Sequence, residues 1–102
     1  MSAPSSDKAA IRQTIRALRR ADHVIYGGND GEEEVVYKPN ASEDDIIADM
    51  TACDDSTLYV RLPDGTESFI YFVLGNEPEE VICDHGVSLS PVLDPLTSAW
   101  WD

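Results

Sequence analysis

An alternating segment, a tight turn and an apolar segment follow one another in the middle of the chain and constrain its fold most. Leu58, Val60 and Leu62 alternate with Tyr59 and Arg61, as in a strand with one buried face. The sequence PDGT at 63–66 is typical of a hairpin turn. Residues 68–74 are almost wholly apolar, which predicts a central strand covered on both faces. A chain with this unit should contain an antiparallel sheet.

The N-terminal segment predicts an amphipathic helix. Ser5 or Ser6 is a good N-cap for this helix. Asp7, which follows, suits the positive end of a helix dipole. Ile11, Ile15 and Leu18 then recur at helical spacing. We therefore expect one apolar side of this helix to lie against the core.

Two short strands and a turn are predicted next. Residues 23–26 and 33–38 favour strands, and the glycine-rich segment 27–31 between them favours the turn of a hairpin. Pro39 should end the second strand because it has no N–H for ladder pairing.

The remaining elements are a short helix, a last strand and a C-terminal segment. Ser42 followed by Asp45 resembles a capping box, and apolar residues follow it. Residues 80–85 predict a strand. Residues 89–96 permit a short helix that prolines limit.

The predicted fold is an α+β domain with the order α-β-β-α-β-β-β plus a short C-terminal segment. Its mostly antiparallel sheet has four to five strands, with helices packed on one face. A chain of 102 residues suits a single domain, and 42% hydrophobic residues suffice for a core. We expect residues 1–102 to form one domain, with 1–5 flexible and 97–102 as a C-terminal tail.

Charge is distributed unevenly along the chain. The net charge is -13, yet five of the seven cations lie within the first 20 residues. They are Lys8, Arg12, Arg16, Arg19 and Arg20, which we call the basic stripe. The acidic remainder should repel nucleic acid and anionic membranes and attract basic proteins. The basic stripe either neutralises the protein's own acids, which we favour, or meets an anionic partner.

Catalytic and metal-binding signals are weak. Cys83 and His85 are two apart on a predicted strand, so their side chains should share a face, as in a thiolate–imidazole pair or half a metal site. A buried cysteine beside a strand-end histidine is the favoured interpretation. Without phosphate-loop, nucleophile-elbow or dinucleotide motifs, no catalytic residue, metal ligand or cofactor is predicted.

Apolar and aromatic residues suggest two further surfaces. Trp100 and Trp101 either pack over the core or act as exposed anchors. Phe69, Tyr71 and Val73 share one face of the apolar strand, and would form a self-association surface if no helix covers them.

Several short stretches and the C-terminal segment carry a family resemblance. The stretches are 30–33 with Lys38, 54–58, 72–76, 79–84, and a tail with Leu89, Leu93 and Pro95. They resemble a group of small proteins from phages and prophages of proteobacteria. In that group a serine more often stands at position 83 and an aromatic residue at position 85, which argues against essential Cys–His chemistry. The resemblance implies a phage context, with anti-CRISPR proteins and DNA mimics as acidic analogues, and implies no catalytic residues.

The expected function is that of a non-catalytic accessory protein of a phage or mobile element. It would bind and inhibit a basic host protein that handles nucleic acid, in the bacterial cytoplasm, with carboxylates standing in for phosphates. The expected contacts are Glu32, Glu33, Glu34, Glu43, Asp44, Asp45, Asp54 and Asp55. No direct contact with nucleic acid or membrane is expected. Two alternatives remain, a structural or homodimerising module and a metal-dependent enzyme that uses Cys83 and His85.

Overall fold

A five-stranded antiparallel sheet organises the protein. The computed structural model describes residues 3–101. The strands form one sheet in the order β2-β1-β3-β4-β5. The predicted α+β class, antiparallel sheet and element order are confirmed. The elements are α1 (Asp7–Arg20), β1 (Val24–Asn29), β2 (Glu34–Val36), α2 (Glu43–Met50), β3 (Asp55–Arg61), β4 (Glu67–Val73), β5 (Ile82–His85) and α3 (Ser90–Trp100), with 3₁₀ turns at Pro78–Glu80 and Val87–Leu89.

Both predicted helix starts are confirmed by their caps. The Ser6 hydroxyl accepts a hydrogen bond from the Ala9 backbone N–H at 3.1 Å, and the Ser42 hydroxyl accepts one from the Asp45 N–H at the same distance. Each bond satisfies one of the backbone donors that a helix leaves unpaired in its first turn, which is worth about 1 kcal/mol.

The core lies between the helices and one face of the sheet. In β3 every second side chain is buried, and in β4 Ile70 and Phe72 are, because strand side chains alternate between faces. The sheet and the three helices contribute to one apolar cluster, to which Val81 and, from the second 3₁₀ turn, Leu89 are added. Its sheet members include Ile25, Leu58, Val60, Ile70 and Phe72, and its helix members include Ile11, Ile15, Leu18, Ile46, Met50, Leu93 and Trp100.

The first strand runs through two glycines that the sequence assigned to a turn. A Cβ at Gly27 would lie 2.7 Å from the carbonyl oxygen of Val35, and one at Gly28 would lie 2.4 Å from that of Thr57. These glycines therefore allow close approach of neighbouring strands. The turn begins after Asn29, and Gly31 supplies its positive φ of 108°. The prediction of a turn over 27–31 was wrong at its first half.

Strand β4 is covered on one face only, which corrects the prediction of a strand buried on both. Ile70 and Phe72 lie on the helix side, whereas Phe69, Tyr71 and Val73 lie on the other side and are partly exposed. Phe69 pairs with Tyr59 of β3, and Tyr71 pairs with Thr57. We call this uncovered side of the sheet the open face.

The C-terminal segment is a full helix. Pro91 lies in the first turn of α3, where a missing N–H costs nothing, and only Pro95 lies inside the helix. Residues 97–100, expected in a tail, form the last turn of α3. Residues 1 and 2 of the expected flexible segment, and residue 102 of the tail, lie outside the described part of the chain.

The two tryptophans have different environments. Trp100 is 3% exposed, and its indole N–H donates a hydrogen bond to the Gln13 side-chain oxygen at 2.8 Å. Trp101 is 63% exposed. The packed and the exposed interpretations thus apply to one residue each. Between residues 3 and 101, no helix is both long and apolar enough to cross a membrane.

Candidate partner-binding surfaces

The basic stripe of α1 is partly neutralised by the first turn of α2. Arg12 contacts Glu43 at 2.9 Å and Asp44 at 2.7 Å, and Arg16 contacts Glu43 at 3.0 Å. Arg19 instead donates to the Ala41 carbonyl oxygen at 2.6 Å. Self-neutralisation, the favoured interpretation of this stripe, is confirmed for Arg12 and Arg16. These contacts join the first turn of α2 to α1.

The carboxylate of Glu43 should stabilise the fold in a pH-dependent way. Arg16 and then Arg12 hold the pKa of Glu43 below its ordinary value of 4.5. A group whose pKa is lowered on folding contributes stability above its unfolded pKa and loses it as the pH falls through its folded pKa.

We therefore expect Glu43→Gln to lower the free energy of unfolding by about 1 kcal/mol at neutral pH, the scale of a partly exposed ion-pair network. Urea unfolding of the variant and the wild type should show this difference at neutral pH and none below the folded pKa. Asp45→Asn is the matched control, because Asp45 lies in the same helical turn and lacks a contact with either arginine. A Glu43→Gln difference that persists in acid would contradict the ion-pair explanation.

The β1–β2 turn presents carboxylates in a fixed arrangement. The Asp30 side chain accepts hydrogen bonds from the backbone N–H groups of Glu32 and Glu33, both at 2.9 Å. These bonds hold the pKa of Asp30 below its ordinary value. The Asn29 side chain accepts a bond from the Gly31 N–H at 2.8 Å. The turn is thus ordered by its own side chains, and Asp30 remains charged at neutral pH.

This turn packs against the segment that leads into β3. A Cβ at Gly31 would lie 2.6 Å from that of Cys53. Partial burial, and then the charges of Glu32, Asp30, Asp54 and Asp55, raise the pKa of the Cys53 thiol. The thiol is therefore protonated at neutral pH and is a poor nucleophile. The fold therefore brings the acids of the turn close to Asp54 and Asp55, which are distant from them in sequence.

Helix α2 extends this acidic region. Tyr37 donates a hydrogen bond to Asp49 at 2.7 Å. Burial and this bond, with the charges of Asp30 and Asp45, raise the pKa of the Tyr37 hydroxyl. Asp45 and Asp49 are four apart and share a face of α2. We call the connected group the acidic ridge; it comprises Asp30, Glu32, Asp45, Asp49, Asp54 and Asp55.

The acidic ridge carries uncompensated charge. The four ion pairs found within residues 3–101 involve Arg12, Arg16 and Arg61, and none of them reaches a ridge carboxylate. Four of the six ridge residues are exposed, and the other two, Asp30 and Asp49, are partly exposed. The ridge is therefore a region of concentrated negative potential.

The eight acids predicted as contacts fall into four environments. Four of them belong to the acidic ridge, namely Glu32, Asp45, Asp54 and Asp55. Glu43 and Asp44 are paired with α1. Glu33 is exposed in the turn, and Glu34 begins β2 on the open face. Asp30 and Asp49 were absent from the prediction, although the spacing between Asp45 and Asp49 was a usable signal for the second.

The open face combines aromatic rings with carboxylates. The Tyr59 hydroxyl donates to Glu34 at 3.0 Å, and the Tyr71 hydroxyl donates to Asp55 at 2.7 Å. The Tyr59 ring lies beside that of Tyr26, with centroids 6.0 Å apart. Each of the two bonds leaves oxygen lone pairs on the carboxylate for a further donor.

One cation already lies on the open face. The Arg61 guanidinium carbon is 4.6 Å from the centroid of the Tyr26 ring, within cation–π range. The same guanidinium contacts Glu67 at 2.7 Å. Arg61 and Glu67 are directly paired across β3 and β4.

The Cys83–His85 pair does not have the geometry that strict alternation predicted. Strand β5 shifts register, so that Tyr71 pairs with Asp84 and Phe72 with Ile82, which leaves Cys83 unpaired in a bulge. His85 contacts the Gly86 carbonyl oxygen through Nδ1 at 2.8 Å. Both cysteines are free, and Cys83 is exposed, where a buried position was favoured.

Over the described residues, no group of three or more His, Cys, Asp or Glu side chains could hold a metal ion.

Comparison of the chain with models of known protein families, with curated proteins and with solved structures found no match.

Proposed function

We propose that this chain is a non-catalytic inhibitor that binds the basic surface on which a host protein holds nucleic acid. The observation that supports this most is the separation of charge on the folded chain. Arg12 and Arg16 are engaged by Glu43 and Asp44, so they do not offset the acidic ridge. Carboxylates on an ordered turn and a helix can occupy phosphate positions on a basic partner without a large ordering cost.

The setting of the proposal follows from the family resemblance and the charge. The chain would be an accessory protein of a phage or mobile element and would act in the cytoplasm of the bacterial host. Its net charge of -13 disfavours direct binding to nucleic acid or to anionic membranes.

Capture from a bacterial lysate, treated with nuclease, tests the proposal. The immobilised wild type should retain a basic nucleic-acid-binding protein at low salt and release it as salt rises, since screening weakens exposed charge pairs. A variant with Glu32→Lys, Asp45→Lys and Asp54→Lys, which we call the ridge-reversed variant, should bind that protein about tenfold or more weakly. These three residues are exposed, and their side chains make no hydrogen bond or ion pair within residues 3–101.

The matched control reverses three exposed acids outside the ridge, by Glu77→Lys, Glu80→Lys and Asp94→Lys. It changes the net charge equally and should retain most of the binding. Equal loss in both variants would show that binding depends on total charge and not on the ridge. Capture of the same proteins by the wild type and the ridge-reversed variant would contradict the proposal.

A homodimerising module is the second candidate, and the apolar side chains exposed on the open face favour it. Phe69 is 37% exposed and Val36 is 89% exposed, and both lie on this face. Dimerisation through apolar contacts should persist or strengthen as salt rises, opposite to the behaviour expected of the ridge.

A further inference from the structure

We propose that the open face is a docking surface for arginine side chains of a basic protein partner. This inference rests on the proposed function and adds to it the surface and the chemistry that would recognise the partner. The face, unlike the acidic ridge, offers aromatic rings as well as charge.

The first step is the pairing of rings with carboxylates. Tyr59 and Glu34 form one such unit, and Tyr71 and Asp55 form a second, each joined by a hydrogen bond. A guanidinium can stack flat on a ring while its in-plane N–H groups donate to a carboxylate beside that ring. A lysine ammonium lacks the plane that this arrangement requires.

The second step is that the open face already holds one guanidinium over a tyrosine ring and beside a carboxylate. Arg61 lies over the Tyr26 ring and contacts Glu67. The two tyrosine–carboxylate units also place a ring beside a carboxylate, and among residues 3–101 neither unit has an ion pair with a cation. The face is thus compatible with further guanidinium groups.

The third step is charge complementarity, which favours a basic partner over a second copy of this chain. Register places Asp55, Glu67 and Asp84 on the open face, and Glu34 joins them through its bond to Tyr59. Arg61 is the one cation that the strand register places there within the described residues. Two copies joined by this face would bring like charges together, which is unfavourable at an interface.

Peptide binding tests the inference. Fluorescently labelled nonapeptides of arginine and of lysine have the same charge, and their affinities are measured by anisotropy at low salt. We expect the arginine peptide to bind about fivefold or more tightly, because contacts with two partly exposed rings are gained. On titration with this peptide, the aromatic NMR signals of Tyr59, Phe69 and Tyr71 should shift. Signals that do not shift, or equal affinities for the two peptides, would overturn the inference.

Two double variants separate ring stacking from fold and charge. Tyr59→Leu with Tyr71→Leu should reduce the arginine affinity to the lysine level, about fivefold, and leave lysine affinity unchanged. Tyr59→Phe with Tyr71→Phe keeps both rings and should keep the preference. A leucine variant that retains the preference for arginine would overturn the inference. It would also be overturned if sedimentation showed that the wild type is a dimer and that the leucine variant is not.

Failure of this inference can be told apart from failure of the proposed function. The ridge-reversed variant should weaken both peptides equally, since it changes charge and no ring. If both peptides bind equally and the ridge-reversed variant binds neither, the charge-based proposal stands and the arginine surface is wrong. If neither peptide binds the wild type, both are wrong.

Discussion

Replacing Trp100 with alanine should lower the free energy of unfolding by about 3–5 kcal/mol, the range for truncating a large buried aromatic residue. The side chain is 3% exposed, belongs to the central apolar cluster and donates a hydrogen bond to Gln13. Its loss would leave a cavity between α3 and α1 and remove this hydrogen bond.

Trp101→Ala is the matched control, because it removes the same side chain from the next position. Trp101 is 63% exposed, so we expect a change of about 0.5 kcal/mol or less. Urea unfolding followed by circular dichroism measures both. If the two variants are equally stable, α3 does not pack on the core as described, and the C-terminal segment is a tail.

Gly28→Ala should destabilise the protein by about 3 kcal/mol, at the upper end of the usual cost of overpacking. The new Cβ would lie 2.4 Å from the Thr57 carbonyl oxygen, which is backbone and cannot rotate away, and 3.1 Å from the Met50 side chain. Relief requires β1 and β3 to separate at the point where they pair through Gly28 and Leu58.

Gly75→Ala provides the comparison, since it tests backbone strain without a clash. Gly75 has φ of 92°, and a methyl group added there would have no neighbouring heavy atom within 4 Å. Alanine at this position should therefore cost about 1–2 kcal/mol, the penalty of a left-handed backbone conformation. Thermal and urea unfolding should rank Gly28→Ala as the more damaging change. The reverse order would contradict the close approach of β1 and β3.

Local signals in the sequence were sufficient for most of the fold. The serine caps, the alternation in β3 and the turn at 63–66 each depend on residues within a few positions of one another. The assignment of Gly27 and Gly28 failed because glycine serves both turns and close strand contacts, and only the neighbouring strand distinguishes these uses.

The prediction that strand β4 is buried on both faces was wrong for a related reason. An apolar strand is typical of burial on both faces, but here Tyr71 and Phe69 remain partly exposed. The Tyr71 hydroxyl is satisfied by Asp55, a residue of the neighbouring strand. A pairing of this kind depends on register, which the sequence does not state.

The acidic surface was predictable in composition and not in arrangement. The excess of acids is evident from counting, but the meeting of the Asp30 turn with Asp54 and Asp55 is a product of the fold. The engagement of Glu43 by Arg12 and Arg16 likewise depends on how α2 packs against α1. Charge alone could not distinguish carboxylates that are available from those that are neutralised.

Competition for a captured host protein tests the central claim most directly. Labelled nucleic acid is bound to that protein, and the chain is added at increasing concentration while anisotropy is followed. We predict that the wild type displaces the nucleic acid and that the ridge-reversed variant does not. A stable complex in which the host protein holds the nucleic acid and the wild-type chain together would contradict the claim.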